Sequence, residues 1–163
     1  MPLNYWEKCE DDHCNYRCQC IHCLTAPKEP AYAESLACLQ EIQKNAVEVI
    51  CPTLVLPECA AAIIRPTQDQ QLASEIIHKV SNFPLMHLIS LTQILADRSA
   101  EIAIECRLRG ADAIYVAVAE FYSTQLISLD QEMLERGKQL VTTVTPKVFC
   151  DKLAIVKEKS WEK

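Results

Sequence analysis

A three-layer α/β/α sandwich with a central parallel sheet is the fold class that this sequence predicts, and three observations carry it. Short apolar runs alternate with helical segments from Leu24 onward. No hairpin turn signal joins any two of those runs, so helices must connect them and the strands must run parallel. The runs read as buried strands, the pattern of a sheet covered on both faces.

Pro30 stands just before 31–46, AYAESLACLQEIQKNA, where Leu36, Leu39 and Ile42 share one face. That stripe is either core or part of a homodimer face. VEVIC (47–51) is a short buried strand ended by Pro52. Thr53 then caps a helix, TLVLPECAAAIIR, in which Pro57 requires a loose first turn and Pro66 marks the close. Residues 69–82 form another amphipathic helix, and PLMHLIS (84–90) is a weaker strand candidate. A long helix over 92–109 turns Ile94, Leu95, Ile102 and Cys106 inward, with Gly110 at its C′ position. ADAIYVAVAEFYS (111–123) is almost wholly apolar in its middle. It reads as a buried helix, which assigns Tyr115, Phe121 and Tyr122 to core packing. QLISL (125–129) is a strand, 130–138 a short helix and LVTTV (140–144) the last strand. A final short helix begins over Pro146–Leu153, and a charged tail, 154–163, follows.

Composition excludes several functions. The chain has 163 residues, enough for one domain with a real core. Its two glycines, Gly110 and Gly137, leave no glycine-rich phosphate loop, which removes Walker-type NTPases and dinucleotide folds. A net charge of −6 gives no basic patch for tight non-specific binding of nucleic acid. It is compatible with an acidic pocket whose bound cations hold phosphate. No apolar run reaches the roughly 18 residues of a membrane span and no signal-peptide core is present, so a cytoplasmic protein without a membrane partner is expected.

Three acids follow strands or open helices, where a parallel sheet gathers its functional groups. Glu58 lies in PTLVLPECAAAI, Asp112 in RGADAIYVAVA and Asp130 in LISLDQEML. Each alone is equally a partner for a helix dipole or a solvated surface acid. Together, carboxylates sharing one pocket repel unless a cation binds among them, and oxygen ligands suit Mg²⁺ or Mn²⁺.

These stretches carry a resemblance. LRGADAIYVAVA followed by LISLDQEML resembles the second half of a PIN domain, as in the VapC-like toxins of toxin–antitoxin pairs. CPTLVLPECAAAI resembles the second acidic motif of that family. The similarity spans 24–153. It implies a Mg²⁺- or Mn²⁺-dependent endoribonuclease acting on single-stranded or structured RNA and neutralised by a small antitoxin. It places the catalytic and metal-ligating roles on Glu58, Asp112 and Asp130, with Ser128 where a small hydroxyl residue is common.

One departure stands out. PIN domains begin with an apolar strand ending in Asp-x-Asn or Asp-x-Ser, whose Asp is a principal metal ligand; this chain has DDHCNYRCQCIHC there. Of ten cysteines, five crowd the first 23 residues: Cys9, Cys14, Cys18, Cys20 and Cys23. Read one base later, the codons of Asp11–Cys23 can spell MIIVIIDANVFIA, provided Arg17 is encoded by CGN. That peptide is the missing strand and motif, and it runs straight into LTAPKEP. On this reading 1–23 is a frameshift product that supplies no stable central strand, and the chain as written is a weak nuclease or none. The rival is a non-catalytic PIN-fold binding protein whose N-terminal arm binds zinc through Cys9, His13, Cys14, Cys18, Cys20, His22 and Cys23. Against it, the arm contains no pair of CxxC knuckles.

Overall fold

The parallel strands predicted from the apolar runs share one sheet in the computed structural model, which describes residues 18–19 and 32–160. The strands are β1 (Cys18–Gln19), β2 (Val49–Pro52), β3 (Met86–Ile89), β4 (Gln125–Ile127) and β5 (Thr143–Val144), in the order β3-β2-β1-β4-β5. Every pairing is parallel, so all carboxyl ends share one edge. Cys18 lies opposite Val49 on one side and Gln125 on the other.

Here the sequence reading is corrected. The first 23 residues were expected to supply no stable central strand, and two of them, Cys18 and Gln19, pair as a strand in the middle of the sheet. The facing edges of β2 and β4 present backbone donors and acceptors that must be paired, and any backbone satisfies them whatever its side chains. The remaining ligands proposed for a zinc arm, and the LTAPKEP segment, lie outside the described residues.

Side chains of adjacent strand residues alternate between two layers. Val49, Ile127 and Val144 face a core with Cys38 and Ile42 of α1 (Tyr32–Lys44) and Phe149 and Leu153 of α7 (Pro146–Ser160). Ile50 and Leu126 face the opposite core. That core is built from α2 (Val55–Thr67), α3 (Gln70–Ser81), α4 (Gln93–Cys106), α5 (Gly110–Phe121) and α6 (Gln131–Gly137). The sandwich is therefore three-layered, as the sequence predicts. At its centre α5 buries Ala113 and every residue from Tyr115 to Ala119. Its apolar middle leaves no polar face to solvate. Gly137 lets α6 approach closely, since a Cβ there would meet Val116 Cγ2 at 3.3 Å. No helix among the described residues is long and apolar enough to cross a membrane.

Several element ends differ from expectation. Leu54, not Thr53, is the N-cap of α2, and it makes no side-chain capping bond. Pro57 falls in the first turn, where a missing N–H costs no helical bond. Pro66 sits inside the last turn, and Gln68 closes the helix in the left-handed conformation at φ 54°. Gly110 is not a C′ residue: Arg107 takes the left-handed position that ends α4, and Gly110 opens α5. The charged stretch after Leu153 continues α7 to Ser160, in keeping with the helix propensity of Lys and Glu. The last strand shrinks to Thr143–Val144.

Three inward assignments are also corrected. Leu36 is 39% exposed because α1 buries Ser35, Cys38 and Ile42, which centres its inner face one position back. Ile94 is 72% exposed, while its neighbour Leu95 is buried with Ser99, Ile102 and Cys106 at helical spacing. Phe121, at the last turn of α5, is 63% exposed and meets Tyr122 edge-on at 5.3 Å.

Candidate active site

Glu58 belongs to the stretch that leaves the carboxyl end of β2 and starts α2. Its carboxylate is half-buried, and Oε2 accepts a hydrogen bond from the Tyr115 hydroxyl at 2.5 Å. Beside it, Cys59 is buried, and its thiol is pushed up to about 11 by burial first and then by the Glu58 charge. A thiol so raised stays neutral and acts as a packing group.

Asp112 lies in the first turn of α5 and is buried at 6% exposure. The direction of α5 follows from its exit: the Thr124 N–H bonds Ala119 O just before β4 begins, so the helix ends at the amino edge of the sheet. Its first turn therefore points toward the carboxyl edge, where α2 also begins. Residues three apart on a helix share a face. The bond from Tyr115 thus brings Glu58 to the face of α5 that carries Asp112.

Asp130 follows the carboxyl end of β4 as the N-cap of α6, and its Oδ1 accepts from the Met133 N–H at 2.9 Å. Ser128, fully buried, fixes the approach: its Oγ accepts from the Asp130 N–H at 3.0 Å and donates to Met133 Sδ at 3.5 Å. One carboxylate oxygen of Asp130 thus serves the helix, and the other has no such duty.

The Tyr115 bond links Glu58 to α5, the helix whose first turn carries Asp112, and Asp130 follows the strand on the far side of β1. Among the described residues no three His, Cys, Asp or Glu side chains form a metal-binding group. The topology gives the reason. Glu58 follows β2 and Asp130 follows β4, and these strands flank β1, which separates them by two strand spacings, about 10 Å. The chain that follows Gln19 between them is outside the described residues. In kind and in place these donors fit a hard divalent cation, being carboxylate oxygens at the functional edge of a parallel sheet. Glu58 and Asp112 could hold one, with Asp130 available from across the β1 slot.

Sequence reasoning missed the second role of Tyr115, which was assigned to packing alone. The signal was present: one polar handle in an apolar helix, one turn after an acid. His78 and His87 pair locally with Asn82 and Glu48, away from these acids.

A family model described as PIN domain matches residues 28–139, a range that includes Glu58, Asp112 and Asp130. Among solved structures, PAE2754 from Pyrobaculum aerophilum superposes with a TM-score of 0.63 at 19% identity, covering 87% of this chain and 97% of that one. FitAB bound to an IR36 DNA fragment superposes at 0.57 with 12% identity, covering 80% of this chain and 94% of that one. FitAcB from Neisseria gonorrhoeae gives 0.57 and 12%, over 80% and 97% of the two chains. At these identities the likeness is one of fold. Among curated proteins none matches significantly.

Proposed function

The chain belongs to the PIN domain family, and on that premise we propose that it is a metal-dependent endoribonuclease, the VapC-like toxin of a toxin–antitoxin pair. One observation carries this reading: the Tyr115–Glu58 hydrogen bond draws the acid of α2 onto the helix face that carries buried Asp112, at the carboxyl edge of the sheet. Carboxylate oxygens at the carboxyl edge of a parallel sheet suit a hard divalent cation. When bound, Mg²⁺ or Mn²⁺ supplies Lewis acidity toward a phosphodiester.

The residues of the chain divide the remaining work. Glu58 and Asp112 would hold the cation, and Asp130 would orient a water or accept its proton. Ser128 keeps Asp130 at its station, and the apolar wall of α5 limits water on the inner side. The substrate is RNA, single-stranded or structured. The partner is a small antitoxin.

A second reading is a non-catalytic binding protein on the same fold. It is favoured by the residues at the sheet centre, where β1 contributes Cys18 and Gln19 and no acid. End-labelled RNA incubated with Mg²⁺, with Mn²⁺ and with EDTA separates the two, assayed both with this chain and with a chain whose Asp11–Cys23 is replaced by MIIVIIDANVFIA. Metal-dependent cleavage that Asp112→Asn abolishes supports the nuclease. Metal-independent cleavage, or cleavage indifferent to all three acids, sinks it.

A further inference from the structure

Tyr115 is the only hydroxyl-bearing residue in the run Ala113–Ala119, and it is fully buried. For packing alone a phenylalanine would fill the same space. The hydroxyl needs a partner, because a buried O–H left unmatched keeps its full desolvation cost. It donates to Glu58 Oε2 across a sequence separation of 57 residues.

A glutamate side chain on its own turns freely about its torsions, and a ligand that must be caught in one rotamer binds a cation weakly. The Tyr115 bond removes that freedom. It ties Oε2 to α5, the helix whose first turn carries Asp112. The Tyr115 ring is itself fully buried in the core cluster around α5. We propose that Tyr115 is a positioning residue. It holds Glu58 so that the second carboxylate oxygen and Asp112 address the same divalent cation. This inference rests on the metal-dependent reading of the pocket.

The test is Mn²⁺ binding by the full chain, read from the spin-resonance signal of free Mn²⁺, with metal-free unfolding midpoints measured in parallel. Tyr115→Phe keeps the ring and should bind Mn²⁺ about tenfold more weakly, the usual scale for loss of a partner that orients a metal ligand. Glu58→Gln should lose at least as much, and Tyr115→Phe added to Glu58→Gln should cost nothing further. Unchanged affinity in Tyr115→Phe while Asp112→Asn is impaired overturns the proposal and leaves the pocket reading intact. A Tyr115→Phe loss that persists in full on the Glu58→Gln background overturns it too, since the tyrosine would then act on the fold and not through Glu58. No Mn²⁺ binding by the unaltered chain overturns the pocket reading and this inference together. Should Tyr115→Phe not fold, Glu58→Asp draws the carboxylate away from the hydroxyl and leaves the α5 core untouched. Affinity there within twofold of the unaltered chain overturns the proposal.

Discussion

Arg98 of α4 closes a two-point pair on Glu120 of α5, with Nε to Oε2 at 2.7 Å and Nη2 to Oε1 at 2.8 Å. The same guanidinium reaches Glu101 at 2.9 Å and Glu105 at 3.5 Å, so one cation serves three acids. Planar forked pairing of this kind fixes geometry as well as charge. It ties the outer helix α4 to the helix that carries Asp112 and Tyr115.

Stability should therefore fall in acid through this pair. The hydrogen bond from Arg98 holds the Glu120 carboxyl below its ordinary value of 4.5. A depressed folded value means that the contribution is fully present above the unfolded value and is lost as pH falls through the folded one. Arg98→Met should cost about 1 kcal/mol at neutral pH, the upper range for a partly exposed pair. The difference from the unaltered chain should shrink below pH 4.5. Urea unfolding of both chains across pH 3–7 checks this; a constant difference would assign the loss to packing.

Cys59 should resist alkylation in the folded protein. Burial, reinforced by Glu58, raises its thiol to about 11, so almost no thiolate forms at pH 8. Iodoacetamide followed by mass spectrometry should leave Cys59 unmodified until denaturant is added. Glu58→Gln should lower the Cys59 value somewhat without exposing it. Fast labelling of native Cys59 would show that α2 opens readily.

What the sequence made legible was local chemistry. Thr92 and Asp69 were readable as helix starts because a cap is a short-range bond, and each accepts from the N–H three residues on. The three-layer sandwich was readable from the order of apolar runs. The centring of an amphipathic face was not, since periodicity gives a stripe and not its midline; hence Leu36 and Ile94 face out. Arg107 was missed because a left-handed residue is sought among glycines, and this chain places Ala46, Gln68, Leu85, Arg107 and Ser123 at positive φ instead. The residues of β1 were unreadable because strand pairing is made by backbone. Of the candidate site, the three acids were visible by position. The Tyr115 bond that joins two of their elements depends on tertiary contact and left only the spacing from Asp112 as a trace.

Removing the charge of Asp112 should separate binding from folding. Asp112 is a buried acid on the helix that also carries Tyr115, so its charge carries a desolvation cost. Asp112→Asn should leave the metal-free unfolding midpoint unchanged or raised, and should reduce the rise that millimolar Mn²⁺ produces in the unaltered chain. Thermal unfolding of both chains with and without Mn²⁺ reads the two effects at once. A large metal-free loss in Asp112→Asn would make Asp112 a structural acid.

The strongest expectation concerns the first strand. The described residues of β1 are Cys18 and Gln19, at the centre of the sheet between β2 and β4. A chain beginning MIIVIIDANVFIA, the shifted reading of Asp11–Cys23, would put a run of apolar residues in that slot and an Asp-x-Asn motif at its end. Each fully buried apolar side chain stabilises by roughly 1.5–3 kcal/mol, so the altered chain should unfold at a distinctly higher temperature. It should also cleave single-stranded RNA with Mg²⁺ or Mn²⁺ and stop on addition of EDTA. The chain as written should cleave weakly or not at all, because a misplacement near 1 Å at a reacting centre costs about a hundredfold in rate and here a ligand is missing altogether. Expressing both and measuring unfolding and RNA cleavage side by side gives a direct comparison. Equal or better performance by the chain as written in both measurements would refute the shifted frame and give the cysteine-rich segment a purpose of its own.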